Sequence, residues 1–399
     1  MISAHEALNI ILDSSNPLDS TTVSLLRARG YALAEEVVAF ENIPSFDNSA
    51  MDGFAVRSGD MPSVPIELRV VGEVAAGKVF AGRLNQGEAL HITTGTKIPE
   101  GADAVVQVEW TEASKDERVR ILRTVKPGHN IRKAGGDIAK GTKVLGEGME
   151  IRSQEIGVLA SLGRKFVEIN RPARVAVLTT GNEVVEIDKP LKEGSIRNSN
   201  GYVLQSLIHG CGGEAIDLGI AKDDPVEIKS RILEGLKSDM LITSGGVSIG
   251  KYDLVGDILK ELGVEIKFWK VNIKPGMPLL FGIFRGRPVF GLPGNPVSTM
   301  VTFIKFVRPA LRKMMGHASL ERNVTLRAVL QHEIKKTDGK RHFVRGVLEN
   351  SNGSLQVQPT GSQLSNVLTS LVNANCLIIV PEEKETLPAG ETVEVELLP

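Results

Sequence analysis

Two glycine-rich loops carry the residue types best suited to binding an anion. In residues 239–253, which read DMLITSGGVSIGKYD, an apolar run ends at a glycine pair flanked by the hydroxyl groups of Ser244 and Ser248. Glycine lets backbone N–H groups approach a ligand closely, and hydroxyl groups add further donors. In residues 291–298, which read GLPGNPVS, two prolines stiffen a loop in which Gly294 exposes its backbone. Each loop taken alone is equally well interpreted as a turn between a strand and a helix.

Lysines and carboxylates elsewhere in the chain complement these loops. Lys270 and Lys274 would face the same side of an extended segment, where they could bind phosphate or another oxyanion. They could equally protect an edge strand from pairing with another chain. The acids beside glycines or at predicted strand ends suit Mg²⁺ that bridges substrate phosphates. These acids are Asp52, Glu183, Asp223, Asp224 and Asp253.

Composition argues against several classes of protein. The 47 Lys and Arg balance 48 Asp and Glu, which gives no whole-chain electrostatic case for binding nucleic acid or an anionic membrane. Cys211 and Cys376 lack CxxC spacing, which argues against zinc, iron–sulfur and disulfide scaffolds and fits a reducing cytoplasm. Neither a GxxxxGK[ST] motif nor a GxGxxG after a strand is present, so common nucleotide-binding folds are disfavoured. The N-terminus lacks a signal-peptide pattern and no window approaches the ~20 apolar residues of a membrane span, so we expect a cytoplasmic protein.

The two loops lie in a region that alternates strands with helices. From Arg174 onward, RVAVLTTG, EAIDLGI and residues 239–243 read as strands, separated by helices that Asn198 and Asp224 would cap. This rhythm predicts a doubly wound parallel sheet with its ligand site at the carboxyl ends of the strands, where TTGNE, AKDD and SGGVS occur. A hairpin, PLLFGIFRGRPVFGL, and a long apolar helix over residues 296–315 complete the region. As the residue before a proline at a helix start, Asp224 is best explained as a cap.

The flanking regions have different patterns. Helices are predicted over residues 3–13 and 21–29, and short strands separated by glycine and proline follow over residues 40–132. The helical pattern of RSQEIGVLASLG comes after them, so this β-rich domain reads as an insertion within another domain. The C-terminal residues form short alternating runs with SNG and PAG turns, which predict a small β-barrel or sandwich.

Several unusual strings together resemble one family. PSFDNSAMDGFAV, TTGTKIPEGADAVV, GDI, TTGNEV, SGGVSIGKYD, KPGMP and GLPGNPVS occur in the order found in the molybdenum insertases. These enzymes, also called molybdopterin molybdenumtransferases, include the bacterial and archaeal MoeA proteins and the E domain of gephyrin. The resemblance spans Ala4 to the C-terminus and is far more specific than any single loop.

The resemblance implies a multidomain α/β fold assembled as a homodimer, with the cleft of one subunit near the inserted domain of its partner. It implies an elongated discontinuous domain, an inserted β-rich domain, a doubly wound α/β molybdopterin-binding domain and a C-terminal β-barrel. The corresponding ranges are residues 1–43 with 133–172, residues 44–132, residues 173–316 and residues 317–399.

The resemblance also implies an activity. Members take adenylylated molybdopterin, hydrolyse the adenylate with the assistance of Mg²⁺, insert molybdate at the dithiolene and release AMP. Catalytic roles would fall on Asp52, Thr94, Glu183, Asp253, Lys270 and Lys274, and the metal would be held by Asp223, Asp253 and Glu183. Substrate and oxyanion contacts would come from Ser244, Gly245, Gly246, Ser248, Pro293, Gly294, Asn295, Pro296 and Arg345.

Other functions stay open at this point. Tungstate could be inserted by the same chemistry, or the chain could be a Mg²⁺-dependent pterin or nucleotide phosphohydrolase. A gephyrin-like scaffold would call for linkers and additional interaction domains, which we do not find in this sequence. The molybdopterin adenylyltransferase that supplies the substrate is a further expected partner.

Three positions depart from the usual family pattern. Met277 replaces a frequent lysine in KPGMP, and Lys251 replaces a frequent acid after SGGVS. Asn182 stands where many members have an aspartate, so it cannot supply charge at neutral pH. The pocket is therefore expected to differ in charge from that of many members at these three points.

Overall fold

The computed structural model describes residues 1–246, 254–320, 324–351 and 353–398. The chain divides into two compact units. The large unit comprises Met1–Glu35, Glu147–Ser153 and Phe166–Pro399, and the β-rich unit comprises Glu36–Gly146 and Gln154–Lys165. This division is coarser than the four predicted domains, so their boundaries stay a prediction. Within the described residues, no helix is long and apolar enough to cross a membrane.

The helices and strands are numbered along the chain. The α-helices are α1 (Ala4–Asp13), α2 (Ser153–Ser161), α3 (Ser199–Gly210), α4 (Pro225–Gly235), α5 (Leu254–Glu261), α6 (Pro296–Thr302), α7 (Arg308–Met314) and α8 (Thr369–Val372). A π-helical turn, Phe303–Val307, joins α6 to α7, and 3₁₀ turns lie at Leu25–Ala28, Ser58–Asp60 and Val108–Trp110. The strands up to residue 170 are β1 (Ser20–Ser24), β2 (Val37–Val38), β3 (Asn48–Ser49), β4 (Gly53–Val56), β5 (Ile66–Val74), β6 (Glu88–Ile92), β7 (Ala104–Gln107), β8 (Thr111–Ala113), β9 (Arg118–Ile121), β10 (Ile131–Arg132), β11 (Lys143–Leu145) and β12 (Phe166–Asn170). The later strands are β13 (Arg174–Thr180), β14 (Val184–Val185), β15 (Ile196–Arg197), β16 (Glu214–Ala221), β17 (Met240–Ser244), β18 (Glu265–Phe268), β19 (Ile273–Lys274), β20 (Leu280–Phe284), β21 (Arg287–Leu292), β22 (Thr325–Leu330), β23 (Ile334–Lys335), β24 (Arg341–Ser351), β25 (Ser354–Pro359), β26 (Cys376–Val380), β27 (Thr386–Leu387) and β28 (Thr392–Leu397).

The centre of the large unit is a six-stranded sheet with the order β16-β13-β17-β21-β20-β18. Its first four strands run parallel. β20, which forms the predicted hairpin with β21, runs antiparallel to them, and β18 pairs antiparallel with β20 at that edge. Alternate residues of β13 enter different cores. Val175 and Val177 pack in the core that contains α3 residues, while Ala176 and Leu178 pack in the core that contains residues of α4 and α5. Helices therefore cover both faces, which confirms the doubly wound fold.

The predicted helix caps of this region are present. The Asn198 side chain accepts a hydrogen bond from the Gly201 N–H at 3.0 Å, and the Asp224 side chain accepts one from the Glu227 N–H at 2.8 Å. Each bond satisfies a backbone donor that the helix itself cannot pair. The long helix predicted over residues 296–315 is interrupted only by the π-helical turn between α6 and α7.

The predicted helix over residues 21–29 is wrong. This stretch contains the second to fifth residues of β1, followed by a 3₁₀ turn at Leu25–Ala28. β1 pairs antiparallel with β12 along its whole length, from Ser20 opposite Asn170 to Ser24 opposite Phe166. Its Thr-Thr-Val sequence is β-branched, and such residues pack well on a pleated surface once a partner strand is available.

The C-terminal strands close into a five-stranded barrel. The order is β24-β25-β22-β28-β26, and β26 pairs back onto β24. Closure removes the exposed strand edges that an open sheet would leave, and it decides between the predicted barrel and the alternative sandwich. β19 pairs with the start of β24, so that Lys274 lies opposite His342.

The β-rich unit is built on a six-stranded sheet with the order β7-β4-β6-β5-β9-β8. Ala55 and Val56, neighbours on β4, enter separate apolar cores. The sheet is thus packed on both faces, and the predicted β-rich character of this part of the chain is confirmed.

Candidate functional site

A cavity of about 940 Å³ opens at the carboxyl ends of the parallel strands. β13 lies between β16, which follows it in sequence, and β17, which comes later, so the chain reverses its winding direction between β13 and β17. Loops diverge at such a point and leave a crevice, which is where open α/β sheets bind ligands. Thr180 at the end of β13 and Ser244 at the end of β17 both line the cavity.

Most of the predicted binding residues meet in this cavity. We call residues 244–246 the serine–glycine loop and residues 293–296 the proline loop. All seven residues line the cavity, as do the carboxylate residues on its rim. The predicted site residues among the lining are Glu183, Asp223, Ser244, Gly245, Gly246, Pro293, Gly294, Asn295 and Pro296. Their chemical roles stay predictions.

The proline loop is held by buried hydroxyl groups. The Thr299 hydroxyl donates to the Pro293 carbonyl at 2.6 Å and also contacts the Asn295 carbonyl at 3.1 Å. Thr299 is fully buried, so these bonds are shielded from competing water. Together with the two prolines, which restrict φ, they give the loop a fixed backbone.

The serine–glycine loop depends on glycine for its course. Gly245 has a φ of +91°, and a Cβ placed there would lie 2.7 Å from the Thr180 carbonyl oxygen. The Gly245 N–H donates to the Leu292 carbonyl at 3.1 Å, which ties this loop to the end of β21. A side chain at Gly245 would therefore displace the backbone that forms the cavity wall.

A second group of residues organises the acidic rim. Asn182 and Asp223 exchange two hydrogen bonds, one from the Asn182 N–H to Asp223 Oδ2 at 3.2 Å and one from the Asp223 N–H to Asn182 Oδ1 at 3.1 Å. Lys222 Nζ donates to the Asn182 and Val184 carbonyls at 3.2 and 2.9 Å. Although Asn182 carries no charge, it fixes the backbone of the Asp223 loop.

The cavity offers donors that suit a magnesium ion. Glu183 and Asp223 supply exposed carboxylates at its wall, and Mg²⁺ commonly uses one or two carboxylates together with substrate phosphates. Within the described residues, we find no cluster of three or more His, Cys, Asp and Glu side chains that could hold a metal. Two other predicted site residues, Asp253 and Ser248, lie outside the described residues, as does Lys251.

The predicted lysine pair is arranged differently from the sequence expectation. Only Ile273–Lys274 forms a strand, so Lys270 and Lys274 do not share one continuous extended segment. Neither lysine belongs to the described lining of the cavity. Lys274 Nζ lies 3.5 Å from a carboxylate oxygen of Asp338, whose other oxygen lies 2.7 Å from His342 Nε2.

The Asp338 carboxylate is held in its ionised form. Burial, the largest influence, raises the pKa of Asp338, but the hydrogen bond and charge of His342, a backbone hydrogen bond and the charge of Lys274 together lower it below the ordinary value. The pKa of His342 is lowered, chiefly because burial disfavours the imidazolium form. Lys274 therefore has an anionic partner within the protein.

Arg345 contacts the loop that contains the cavity residue Asn366. It is 1% exposed, and burial lowers its pKa to about 10. Its guanidinium donates to the Leu364 and Ser362 carbonyls at 3.0 and 3.3 Å and to Ser370 Oγ at 3.1 Å. In this structure Arg345 supports the loop of residues 362–366 and is not part of the described lining.

Asp52 and Thr94 belong to the β-rich unit, where they contact each other. The Thr94 N–H and hydroxyl both donate to Asp52 Oδ1, at 2.6 and 2.9 Å. These two bonds, the backbone one being the stronger influence, lower the pKa of Asp52. The family motifs single out both residues, and the fold makes them one hydrogen-bonded pair.

Asn200 and Asn366 are two of the cavity residues that were not predicted as site residues from the sequence. Asn200 lies in the first turn of α3, and Asn366 comes from the loop that Arg345 supports. That loop meets the proline loop, since Asn295 Nδ2 bonds Ser365 Oγ at 3.0 Å. The polar residues after the cap in RNSN were the only signal for Asn200, and they resemble an ordinary helix start.

Comparison with known proteins covers the whole chain. A model of the MoeA N-terminal region (domain I and II) matches residues 2–163, a probable molybdopterin binding domain matches residues 176–313, and the MoeA C-terminal region (domain IV) matches residues 327–398. The molybdopterin molybdenumtransferase of Haemophilus influenzae is 38% identical over 382 residues, which cover 95% of this chain and 94% of that protein. That of a Nostoc species is 37% identical over 413 residues, which cover 100% of this chain and 94% of that protein.

Solved structures agree with these sequence matches. The crystal structure of a molybdopterin biosynthesis MoeA protein from Pyrococcus horikoshii OT3 superposes with a TM-score of 0.88 at 33% identity, and each chain is covered completely. The fold, the order of domains and the motifs at the cavity therefore lead to one assignment. The chain belongs to the MoeA family of molybdopterin molybdenumtransferases, the enzymes of molybdenum cofactor biosynthesis.

Proposed function

We propose that this enzyme hydrolyses adenylylated molybdopterin in a Mg²⁺-dependent step and inserts molybdate at the dithiolene, with release of AMP. The observation that carries this proposal is the meeting of two glycine-containing loops with two carboxylates in one cavity. The loops offer hydroxyl and N–H donors to phosphate groups, and the carboxylates suit the metal that accompanies such groups. A transferase that only bound the pterin would not need this acidic rim.

The residues of the chain would act mainly by positioning. The serine–glycine loop and the proline loop would hold the pterin phosphate, while Glu183 and Asp223 would hold Mg²⁺, together with Asp253, which lies outside the described residues. Bound there, Mg²⁺ would neutralise charge on the phosphoanhydride. Water adds to phosphorus, the anhydride P–O bond breaks, and AMP and molybdopterin are the two products. Fixed donors reduce the reorganisation that this step needs.

The cationic residues would bind the oxyanion. Lys274 could exchange its protein partner for molybdate, because its Nζ lies 3.5 Å from Asp338 and the lysine side chain is exposed. Met277 offers no charge beside it, so fewer cations would contact the oxyanion than in many members. We also propose a homodimer in which the Asp52–Thr94 pair of the partner subunit lies at the cleft and takes part in the reaction, as the family resemblance implies.

The experiment is an assay of AMP release with purified adenylylated molybdopterin. Release is measured with and without Mg²⁺, and with molybdate, tungstate or neither. The product is then tested for activation of an apo-molybdoenzyme. The proposal requires Mg²⁺-dependent release and activation that depends on molybdate. Release without activation would identify a phosphohydrolase, activation with tungstate alone would identify tungstate insertion, and no release would contradict the proposal.

A further inference from the structure

Asn200 connects the two loops that the proposed function assigns to phosphate binding. Its side-chain nitrogen Nδ2 lies 2.9 Å from Ser244 Oγ and 2.8 Å from the Gly294 carbonyl oxygen. A carbonyl oxygen only accepts hydrogen bonds, so the amide must present its NH₂ group to Gly294. Both hydrogens of that group are then used, one for each loop, and Asn200 is only 8% exposed.

The bond to Gly294 determines where the following N–H points. A trans peptide is planar, with its carbonyl and N–H directed to opposite sides. Because the Gly294 carbonyl points at Asn200, the Asn295 N–H points away from it. Within the described residues, no acceptor lies within hydrogen-bond reach of that N–H. Asn295 itself lines the cavity, and among the described residues its backbone donor is not committed to another group.

The bond to Ser244 has a parallel effect on the hydroxyl group. Ser244 Oγ accepts from Asn200, which leaves its own hydrogen to donate elsewhere. The acceptor found for it is the Pro293 carbonyl at 3.5 Å, well beyond the usual 2.5–3.0 Å of an O–H···O bond. The hydroxyl is thus held in place without being committed as a donor.

We propose that Asn200 is a positioning residue, which orients the Asn295 N–H and the Ser244 hydroxyl toward the phosphate group of the ligand. The proposal rests on the proposed function for the chemistry of that ligand. No other described side chain bonds both loops through one group. The Thr299 hydroxyl holds the carbonyls of Pro293 and Asn295, and the Asn200 amide holds the Gly294 carbonyl between them, so the orientation of the Gly294–Asn295 peptide depends on this amide.

The test compares Asn200→Leu, which keeps the approximate volume but removes both donors, with Asp224→Ala. The control variant Asp224→Ala loses the cap of α4, so it is destabilised through a different helix. Asp224 lies outside the described cavity lining. Binding of inorganic phosphate is measured by titration calorimetry, and KM and kcat are measured with adenylylated molybdopterin. We expect Asn200→Leu to weaken phosphate binding and raise KM about tenfold, with a smaller change in kcat, because a charge-assisted hydrogen bond is misaligned. Asp224→Ala should stay within twofold of the wild type.

Two further measurements separate positioning from a general loss of structure. With asparagine-selective ¹⁵N labelling, the backbone signal of Asn295 should shift when phosphate binds to the wild type and should not shift in Asn200→Leu. Ser244→Ala combined with Asn200→Leu should weaken binding by less than the product of the two single effects, because both changes act on one shared contact. If Asn200→Leu does not fold, Asn200→Ser serves in its place.

The results separate the positioning role of Asn200 from the proposed function. An unchanged phosphate affinity, an Asn295 signal that still shifts in the variant, or fully multiplicative effects would each overturn the proposal. A wild type that binds phosphate with the expected Asn295 shift but releases no AMP would contradict the proposed function and support the positioning role. A wild type that does not bind phosphate at all would overturn the positioning role.

Discussion

Replacing Gly245 with alanine should damage the site far more than an equivalent change at Gly263. Gly245 has a φ of +91° and Gly263 a φ of +85°, so both alanines must adopt a left-handed conformation that costs about 1–2 kcal/mol. At Gly263 nothing lies within 4 Å of the added Cβ. At Gly245 the Cβ would lie 2.7 Å from the Thr180 carbonyl oxygen and 3.1 Å from its hydroxyl oxygen. Comparing the two substitutions isolates this contact.

The additional cost at Gly245 follows from the sheet. Thr180 ends β13, and its neighbour Thr179 lies opposite Ser244 of β17, so the carbonyl cannot move without disturbing that strand pairing. Forcing an extra methyl group into a packed site typically costs about 1–3 kcal/mol. We therefore expect the free energy of unfolding to fall by about 1–2 kcal/mol in Gly263→Ala and by about 2–5 kcal/mol in Gly245→Ala.

The assay uses urea unfolding followed by the fluorescence of Trp269, which packs against an apolar core of the large unit. The second tryptophan, Trp110, belongs to the β-rich unit and is replaced by phenylalanine in every sample. The midpoint and the slope m are compared, because an unchanged m shows that the same surface is exposed. Equal destabilisation of the two variants, or a wild-type KM for Gly245→Ala, would refute the view that this glycine shapes the cavity wall.

Three further substitutions test the charges and hydrogen bonds of the site. Asp338→Asn frees Lys274 from a partly exposed ion pair worth about 0.2–1 kcal/mol. Titration calorimetry should therefore show molybdate binding up to about fivefold more tightly. Weaker binding would mean that the carboxylate orients the lysine. Thr94→Val removes one of two hydrogen bonds to Asp52 and should raise the pKa of that carboxyl partway to its ordinary value. The stabilisation from this contact is present above the unfolded pKa and is lost as pH falls toward the lower folded pKa. In Thr94→Val the loss should therefore be smaller and complete at a higher pH; an unmoved carboxyl signal in a ¹³C NMR titration would count against it. Asn182→Asp keeps the side-chain acceptor and adds a negative charge to the acidic rim. The Mg²⁺ concentration for half-maximal activity should therefore fall several-fold. An unchanged Mg²⁺ concentration for half-maximal activity would place the metal elsewhere.

The sequence was most informative where a local signal and the fold agreed. Asn198 and Asp224 cap helices because their side chains reach an N–H three residues ahead, which depends only on local spacing. The alternation of strands and helices placed TTGNE, AKDD and SGGVS at strand ends, and described residues of all three strings line one cavity. Motif order identified the family, which no single loop could do.

Long-range pairing explains what the sequence did not predict. Residues 20–24 form a strand because β12, far away in the sequence, pairs with them. Asp338 contacts Lys274 only because β19 joins the edge of β24. Arg345 is buried and donates to three acceptors in or near the loop of residues 362–366, while its predicted contact with the substrate stays a prediction. None of these relations has a local pattern from which it could be predicted.

The adjacent acids Asp223 and Asp224 allow the most direct test of the proposed reaction. Asp223 lines the cavity, whereas Asp224 caps α4 and lies outside the described lining. Asparagine at either position keeps the size of the side chain and its ability to cap, and removes only the charge. The decisive measurement is the single-turnover rate of Mg²⁺-dependent AMP release from adenylylated molybdopterin. We expect a loss of at least about 100-fold in Asp223→Asn, because a charged group that stabilises the transition state is removed, and a near wild-type rate in Asp224→Asn. Equal rates in the two variants would contradict the proposed role of Asp223.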